Sequence, residues 1–284
     1  MNILVTGGNG QLGSEIRQRS TAEHHWFFTD SNDLDITNCD AVEQFFTQNS
    51  INLCLNCAAY TAVDQAEELK EICEKVNVDG VVYLAQACSK NNAVLVHIST
   101  DYVFDGTHFQ PYQEDDAISP VNFYGETKAK SEEKALSLNS KTFIIRTSWV
   151  YSKYGKNFVK TMQKLGNERD CLNVIFDQIG TPTYAGDLAD AILAITIAKE
   201  RTEYGIYHFS NQGVTSWYDF AKAIFELSEI SCELKPIETK DYPTTAKRPY
   251  YSLLNKAKFV SVFNYTIPYW RDSLKTCLAE MKNN

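Results

Sequence analysis

The sequence predicts an α/β fold built on a doubly wound parallel sheet, followed by a smaller domain. Three observations predict it. Short runs that are almost continuously apolar alternate with segments in which apolar residues recur at helical spacing. A glycine-rich turn follows the first run, and an acidic residue closes the second. Such runs are typical of parallel strands whose two faces are both covered by helices.

The first half of the chain supplies the predicted sheet. Five apolar runs are predicted strands, at residues 2–7, 25–30, 51–59, 93–100 and 142–150. The segments between several of them have the spacing of helices, and residues 64–91 are the longest example.

The second half is predicted to form a smaller domain that interleaves with the first. From about residue 151 the alternation weakens, and residues 233–252 are loop-rich, with three of the seven prolines. A helix at about 184–199 and a strand at 206–210 are predicted to return to the main sheet. Residues 1–150, with returns near 184–210, are therefore expected to form one domain, and residues 151–284 mainly the other.

Composition limits the kinds of molecule that the chain is expected to bind and the compartment in which it is expected to work. The chain has 284 residues and a formal net charge of −9, which argues against nucleic-acid binding. It contains no run of 18 apolar residues and begins directly with a predicted strand, so we expect neither a membrane span nor a signal peptide. The eight cysteines are scattered, which suits a reducing cytoplasm. Cys54 and Cys57 would point to opposite faces of a strand, so a shared metal ion is not expected.

The glycine-rich turn predicts a dinucleotide site. In "VTGGNGQLGSEI", Gly7, Gly10 and Gly13 follow the first strand and open a helix. Glycines at such positions allow a sharp turn and a close approach of pyrophosphate to the helix N-terminus. The alternative is a glycine-rich turn without a ligand.

The acid that closes the second strand is Asp30, 23 residues after Gly7. A carboxylate at this point can accept hydrogen bonds from the adenosine ribose and would repel a 2′-phosphate, which favours NADH over NADPH. Asp35 and Ile36 are candidates to flank the adenine, although an acidic turn explains Asp35 equally well.

The stretch "NFYGETK" places Tyr124 and Lys128 four residues apart, on one face of a predicted helix. A free tyrosine has a pKa of about 10, and a nearby ammonium together with a nicotinamide cation would lower it. The phenol could then exchange a proton with a carbonyl or alcohol near neutral pH. Thr100, at the end of an apolar strand, could hydrogen-bond the same oxygen. By itself this spacing indicates a solvated pair, and the glycine-rich turn is what favours the catalytic interpretation.

Together these residues resemble the extended short-chain dehydrogenase/reductase family, and within it the dTDP-4-dehydrorhamnose reductase branch. The matching segments occur in order along nearly the whole chain: "GQLGSE", "NCAAYTAVDQAE", "HISTDYVFDG", "NFYGETK", "IIRTSWVY", "DQIGTPT" and "KRPYYS". The resemblance implies a Rossmann-type domain, a nicotinamide cofactor (NADPH or NADH) and a second domain for a nucleotide sugar. It also implies that Thr100, Tyr124 and Lys128 are the catalytic set.

Further binding residues follow from the resemblance. Around the cofactor it implies Gly7, Asn9, Gly10, Gln11, Leu12, Gly13, Ala58, Ala59, Tyr60 and Thr147. Around the nucleotide sugar it implies Asp101, Tyr102, Trp149 and Arg248. The ring of Trp149 would form a floor for the sugar, and the guanidinium of Arg248 would pair with the pyrophosphate. Core packing remains the alternative for Trp149, and a solvated loop cation the alternative for Arg248.

The implied activity is NAD(P)H-dependent reduction of the C4 carbonyl of dTDP-4-dehydro-L-rhamnose to dTDP-L-rhamnose. One alternative is a non-catalytic regulatory subunit, since the methionine adenosyltransferase beta subunit resembles the same branch. Another is reduction of a different nucleotide 4-keto-sugar. Some members of the branch dimerise through carboxylates and Mg²⁺, so a homodimer is possible. Glu15 is a candidate ligand, and the metal is left open because the sequence identifies no other ligands.

Overall fold

A six-stranded parallel sheet lies at the centre of the computed structural model, which describes residues 1–197 and 202–282. The strands of the described residues are β1 (Asn2–Thr6), β2 (His25–Thr29), β3 (Leu53–Asn56), β4 (Val94–Thr100), β5 (Thr142–Thr147), β6 (Val150–Tyr151), β7 (Cys171–Ile175), β8 (Ile179–Gly180), β9 (Thr183–Tyr184), β10 (Gly205–His208), β11 (Thr215–Ser216) and β12 (Glu233–Ile237). The main sheet has the order β10-β5-β4-β3-β1-β2. All its neighbouring strands are parallel, which confirms the predicted fold class.

Helices cover both faces of this sheet. They are α1 (Gln11–Arg19), α2 (Cys39–Asn49), α3 (Val63–Ala66), α4 (Lys70–Glu74), α5 (Gly80–Lys90), α6 (Phe123–Leu138), α7 (Phe158–Glu168), α8 (Ala185–Ile197), α9 (Trp217–Ser228), α10 (Ala257–Phe263) and α11 (Trp270–Lys282). In β1, Ile3 and Val5 pack toward α1, α8 and α10, while Leu4 packs toward α2, α5 and α6. This alternation explains why the strand is apolar on both faces.

The smaller part of the fold has its own core. β7 pairs with β12 in parallel, and α7, α9 and α11 pack around this pair in a third apolar cluster. β10 lies beside β5 at the edge of the main sheet, so the chain returns to that sheet after β7. The functional division of the chain near residue 150 stays a prediction.

Three predicted elements differ from the structure. The predicted strand at 142–150 ends at Thr147, because Trp149 has a φ of 49°. The predicted helix at 64–91 is divided into α3, α4, a π-helical segment (Lys75–Asp79) and α5. The π segment directs Asn77 inward, where its side chain bonds both the backbone N–H and the carbonyl of Tyr60. The predicted helix at 184–199 is found up to Ile197, and residues 198 and 199 lie outside the described residues.

Within residues 1–197 and 202–282, no helix is both long enough and apolar enough to cross a bilayer.

Candidate active site

The carboxyl ends of the central strands open into a cavity of about 810 Å³. This is the edge where open α/β sheets bind their ligands. Most of the residues predicted for the site line it: Gly7, Asn9, Gly10, Gln11, Leu12, Asp30, Asp35, Ile36, Ala58, Ala59, Thr100, Asp101, Tyr102, Tyr124, Lys128, Thr147 and Trp149. The structure therefore brings the glycine-rich turn and the Tyr124–Lys128 pair to one cavity.

The glycine-rich turn packs too tightly for side chains. Gly7 has a φ of 63°, and a Cβ added to it would lie 2.8 Å from the backbone nitrogen of Ala58. A Cβ on Gly13 would lie 2.4 Å from the carbonyl oxygen of Gly7. Gly13 does not line the cavity, and instead lets α1 pack closely against the turn. The N-terminus of α1 thus faces the cavity, which is the arrangement that holds phosphate.

Asp30 lies at the rim of the cavity with both carboxylate oxygens oriented. Oδ1 accepts a hydrogen bond from the backbone N–H of Asn32 (2.8 Å), and Oδ2 accepts one from Asn9 Nδ2 (2.5 Å). These bonds, chiefly the one from Asn32, hold the pKa of Asp30 below its usual range. Asp35 accepts both the hydroxyl and the N–H of Thr37 (2.8 and 2.9 Å), so it closes a local turn as well as lining the cavity.

Helix α6 positions Tyr124 and Lys128. Its N-cap is Asn122, whose Oδ1 accepts the N–H of Gly125 at 2.8 Å. Lys128 is only 1% exposed, and its Nζ donates to the carbonyl of Ile98 at 2.7 Å and lies 3.1 Å from His97 Nε2. The predicted helix and the predicted common face of the pair are confirmed.

The sequence argument expected Lys128 and a nicotinamide cation together to lower the pKa of Tyr124. Burial, followed by the charge of Asp101, raises the pKa of Tyr124 instead. Burial also lowers the pKa of Lys128 to about 8. In the protein chain by itself burial dominates and the ammonium points to Ile98 and His97, so the lowering expected from Lys128 together with a nicotinamide cation stays a prediction.

Thr100 ends β4 and already has hydrogen-bond partners. Its Oγ1 accepts the N–H of Tyr102 at 3.2 Å and lies 3.0 Å from Asp101 Oδ1, to which it donates when that carboxyl is ionised. The neighbouring Asp101 is buried, and this raises its pKa to about 6. The availability of the Thr100 hydrogen therefore depends on Asp101.

Trp149 both packs and lines the cavity. Its ring stacks on Trp217 with centroids 3.7 Å apart and an angle of 13° between the planes. Trp217 lines the same cavity but was not assigned from the sequence. The sequence feature that could have identified Trp217 is its position as an aromatic residue directly after Ser216, the N-cap of α9.

A second cavity, of about 940 Å³, lies beside α7, β7 and the loop that precedes α10. Trp217 lines this cavity as well as the first. Arg248 lines the second cavity and not the first, although its charge reaches Tyr102, and its Nη1 and Nη2 donate to Asp64 Oδ1 and Oδ2 (3.0 and 2.6 Å). Asp64 is a partner that sequence reasoning missed.

Two further candidates lie apart from the cavities. Tyr60 does not line the first cavity; its backbone N–H donates to Asn77, and its hydroxyl lies 3.3 Å from Gln65 Oε1. Glu15, the candidate metal ligand, is buried and accepts hydrogen bonds from Ser152 (2.7 Å) and Arg19 (2.6 Å). In the described part of the chain, no group of three or more His, Cys, Asp or Glu side chains is placed to hold a metal ion.

The parallel sheet, the glycine-rich turn and the Rossmann-like order of elements define an extended short-chain dehydrogenase/reductase fold. The chain belongs to the family described as the RmlD substrate binding domain, whose model matches residues 1–283.

Relatives and solved structures agree with this assignment. A dTDP-4-dehydrorhamnose reductase of Aggregatibacter actinomycetemcomitans is 43% identical over 98% of each chain. The crystal structure of a dTDP-4-dehydrorhamnose reductase from Clostridium acetobutylicum has a TM-score of 0.96 and 42% identity, covering 99% of this chain and 100% of that one. The enzyme of Bacillus anthracis, solved in complex with NADP, has a TM-score of 0.94 and 38% identity, covering 98% and 99%.

Proposed function

We propose that this chain reduces the C4 carbonyl of dTDP-4-dehydro-L-rhamnose to dTDP-L-rhamnose with NADPH or NADH. The observation that carries the proposal is one cavity in which the glycine-rich turn and the set of Thr100, Tyr124 and Lys128 meet. It occurs in a chain that is 43% identical over 98% of its length to a reductase of this substrate.

The residues of the first cavity fit a nicotinamide dinucleotide. The turn at Gly7 leaves no room for a side chain, so backbone groups can approach a pyrophosphate closely. Asp30 offers ionised oxygens at the rim, where a ribose would bind. The bound dinucleotide supplies the hydride. The aliphatic Ala58 and Ile36 give apolar walls between these polar groups.

The side chains of the chain handle the proton and the orientation of the carbonyl. Tyr124 donates its hydroxyl proton to the carbonyl oxygen as hydride reaches the carbon. Thr100 donates a hydrogen bond to the same oxygen. Lys128 keeps a cation in the buried site, because Glu132 partly opposes the lowering of its pKa by burial.

The second cavity is the proposed place for the nucleotide part of the substrate. It opens beside Trp217, which it shares with the first cavity, so a sugar at Trp149 and Trp217 would have its nucleotide beyond them. Arg248 is held in this second cavity, where it could meet a diphosphate. On this basis residues 1–150 bind the cofactor, and residues 151–284 mainly bind the nucleotide sugar.

The experiment is NAD(P)H oxidation with dTDP-4-dehydro-L-rhamnose, with identification of dTDP-L-rhamnose as product and Tyr124→Phe as a variant of strongly reduced turnover for comparison. No oxidation above background with either cofactor would overturn the proposal and favour the regulatory-subunit alternative. A parallel assay with other nucleotide 4-keto-sugars tests the alternative that one of them is the substrate. A higher kcat/KM for such a sugar than for dTDP-4-dehydro-L-rhamnose would support it.

A cytoplasmic location and a homodimer are further proposals. All eight cysteines are free thiols, which is usual for a protein of a reducing compartment. Cell fractionation tests the location. Sedimentation velocity tests the homodimer, and a monomer at micromolar concentration would contradict it.

A further inference from the structure

Asp101 is a buried carboxyl group that directly adjoins the proposed catalytic set. It is 3% exposed and begins the 3₁₀ turn Asp101–Val103, which follows β4. Its Oδ1 lies 3.0 Å from Thr100 Oγ1. Among residues 1–197 and 202–282 its buried Oδ2 has no hydrogen-bond partner of ordinary geometry, although the Ser252 hydroxyl lies close enough to the carboxyl group to lower its pKa. A buried carboxylate with one oxygen unpaired is costly, whereas the neutral acid is tolerated much better.

The protonation state of Asp101 decides where the hydroxyl hydrogen of Thr100 points. A threonine hydroxyl has one hydrogen to donate and two lone pairs. The N–H of Tyr102 occupies one lone pair at 3.2 Å. If Asp101 is ionised, the Thr100 hydrogen must point to Oδ1, and no hydrogen is left for a substrate. If Asp101 carries a proton on Oδ1, it donates to the second lone pair, and the Thr100 hydrogen is then available to the Tyr124 hydroxyl, which also faces Thr100, and to a substrate oxygen.

We propose that Asp101 works in its neutral form as a positioning residue, which donates to Thr100 Oγ1 and so directs the Thr100 hydroxyl hydrogen to the carbonyl oxygen of the substrate. The inference rests on the proposed carbonyl reduction and deepens it. No proton leaves Asp101 in this arrangement; the proton that reaches the carbonyl oxygen comes from Tyr124.

Burial favours the neutral form of Asp101. The titratable groups that face Asp101 are Tyr102, from the same turn, and Tyr124, from α6. Arg248 acts on Tyr102, while the ammonium of Lys128 is directed to Ile98 and His97. Burial raises the pKa of Asp101 to about 6, against the smaller opposing effects of Ser252 and Thr100. An ionised Asp101 also raises the pKa of Tyr124, which makes Tyr124 a weaker acid, so the neutral form helps turnover twice.

Two substitutions separate the neutral donor from the charge. In Asp101→Asn, the amide can donate to Thr100 at every pH, as the neutral acid does, but it never carries a charge. In Asp101→Leu, the donor is lost. Asp115→Asn is the matched control, since Asp115 is an exposed carboxylate outside the cavity. The first measurement is kcat and kcat/KM between pH 5 and 9. The second is a carbon NMR titration of the Asp101 carboxyl in the cofactor-free protein. The Asp101 signal is assigned as the one that disappears in Asp101→Asn.

The expected wild-type kcat falls as pH rises through the pKa of Asp101, by up to about tenfold per unit as the neutral fraction declines. Asp101→Asn should keep the low-pH kcat within about threefold and lose this decline. Asp101→Leu keeps the Thr100 hydrogen but loses the donor that directs it, so kcat should fall at every pH by less than the roughly 10²-fold cost of removing a donor to the oxyanion outright. Asp115→Asn should retain the wild-type profile.

Three results would overturn the proposal: an Asp101 titration near the ordinary value of about 3.9, a wild-type decline that persists in Asp101→Asn, or a uniform loss in Asp101→Asn as large as that in Asp101→Leu. If the wild type turned over no nucleotide keto-sugar, the proposed function would fail separately, and the NMR titration would still decide whether Asp101 is neutral near pH 5.

Discussion

Asn122 connects the helix of Tyr124 to the loop of the second cavity. Its Oδ1 caps α6 by accepting the N–H of Gly125, and its Nδ2 donates to the carbonyl of Lys247, both at 2.8 Å. The side chain is 4% exposed. Asn122→Asp separates the two contacts, because a carboxylate still caps the helix and suits its N-terminus but cannot donate to a carbonyl.

The expected magnitude follows from these contacts. In Asn122→Asp the part-buried carbonyl of Lys247 loses its donor and faces a carboxylate instead, which costs about 1–3 kcal/mol, and the charge at the helix N-terminus returns about 0.3–1 kcal/mol. We expect the free energy of unfolding to fall by roughly 1–2 kcal/mol. If the loop that carries Lys247 must be ordered again when the nucleotide binds, the same free energy raises KM for the nucleotide sugar about 5- to 30-fold. Because the cap persists, kcat should stay within about threefold.

The assays are urea unfolding and NAD(P)H oxidation over a range of nucleotide-sugar concentrations. Asn38→Asp is the matched control, because Asn38 caps α2 through Ala41 in the same manner (3.1 Å) and lines neither cavity. The control should leave KM unchanged. If Asn122→Asp left KM unchanged and lowered kcat, the contact with Lys247 would have no role in nucleotide binding, and the reasoning would be refuted.

Three further predictions concern the acid, the cofactor and the buried His208. Tyr124→Phe should lower kcat by about 10²-fold or more with cofactor binding nearly unchanged in a fluorescence titration, and wild-type turnover would show that Tyr124 is not the acid. Asp30→Ala should raise the NADPH-to-NADH ratio of kcat/KM, because it removes a carboxylate that repels a 2′-phosphate; an unchanged or lower ratio would mean that Asp30 does not face the ribose. Burial lowers the pKa of His208 to about 3 in the folded protein. As pH falls, His208 therefore takes up a proton in the unfolded chain before it does so in the folded protein. Its contribution to stability is present above pH ~6.5 and should be lost by about 1.4 kcal/mol per unit as pH falls toward 3, which urea unfolding at several pH values measures. The comparison is with His208→Gln, because the raised pKa of Asp101 contributes with the opposite sign in this range; a difference in the free energy of unfolding between the two proteins that stays constant between pH 6.5 and 4.5 would contradict it.

Local patterns predicted the sheet well because both of its faces are buried. The apolar strands needed no knowledge of their partners, and each strand of the main sheet falls inside or within one residue of its predicted run. The division of the predicted helix at 64–91 was not predictable in the same manner. Its π segment depends on contacts of Asn77 with Tyr60 and with Thr127, which lies 50 residues further along the chain. No helical periodicity contains that information.

The candidate site shows the same limit. The spacing of Tyr124 and Lys128 predicted a shared face, since four residues make about one helical turn. The partner of Arg248 could not be predicted, because Asp64 is 184 residues away in sequence. Asp64 also accepts the N–H of Ala246 at 3.0 Å, so it holds the backbone of the loop as well as the guanidinium. Sequence reasoning identified the cation and missed what orients it.

The polar residues of β4 contact the charged residues of α6 that are buried against the sheet. His97 contacts Lys128, and Ser99 donates to Glu132, so successive polar positions of the strand meet charged residues of α6. Arg146, from β5, donates to the same Glu132 at 2.7 Å. Burial alone would lower the pKa of Lys128 further, and Glu132 opposes it, which leaves the value at about 8. At neutral pH the lysine is therefore still mainly an ammonium, and Glu132 is the carboxylate that opposes the effect of burial on it.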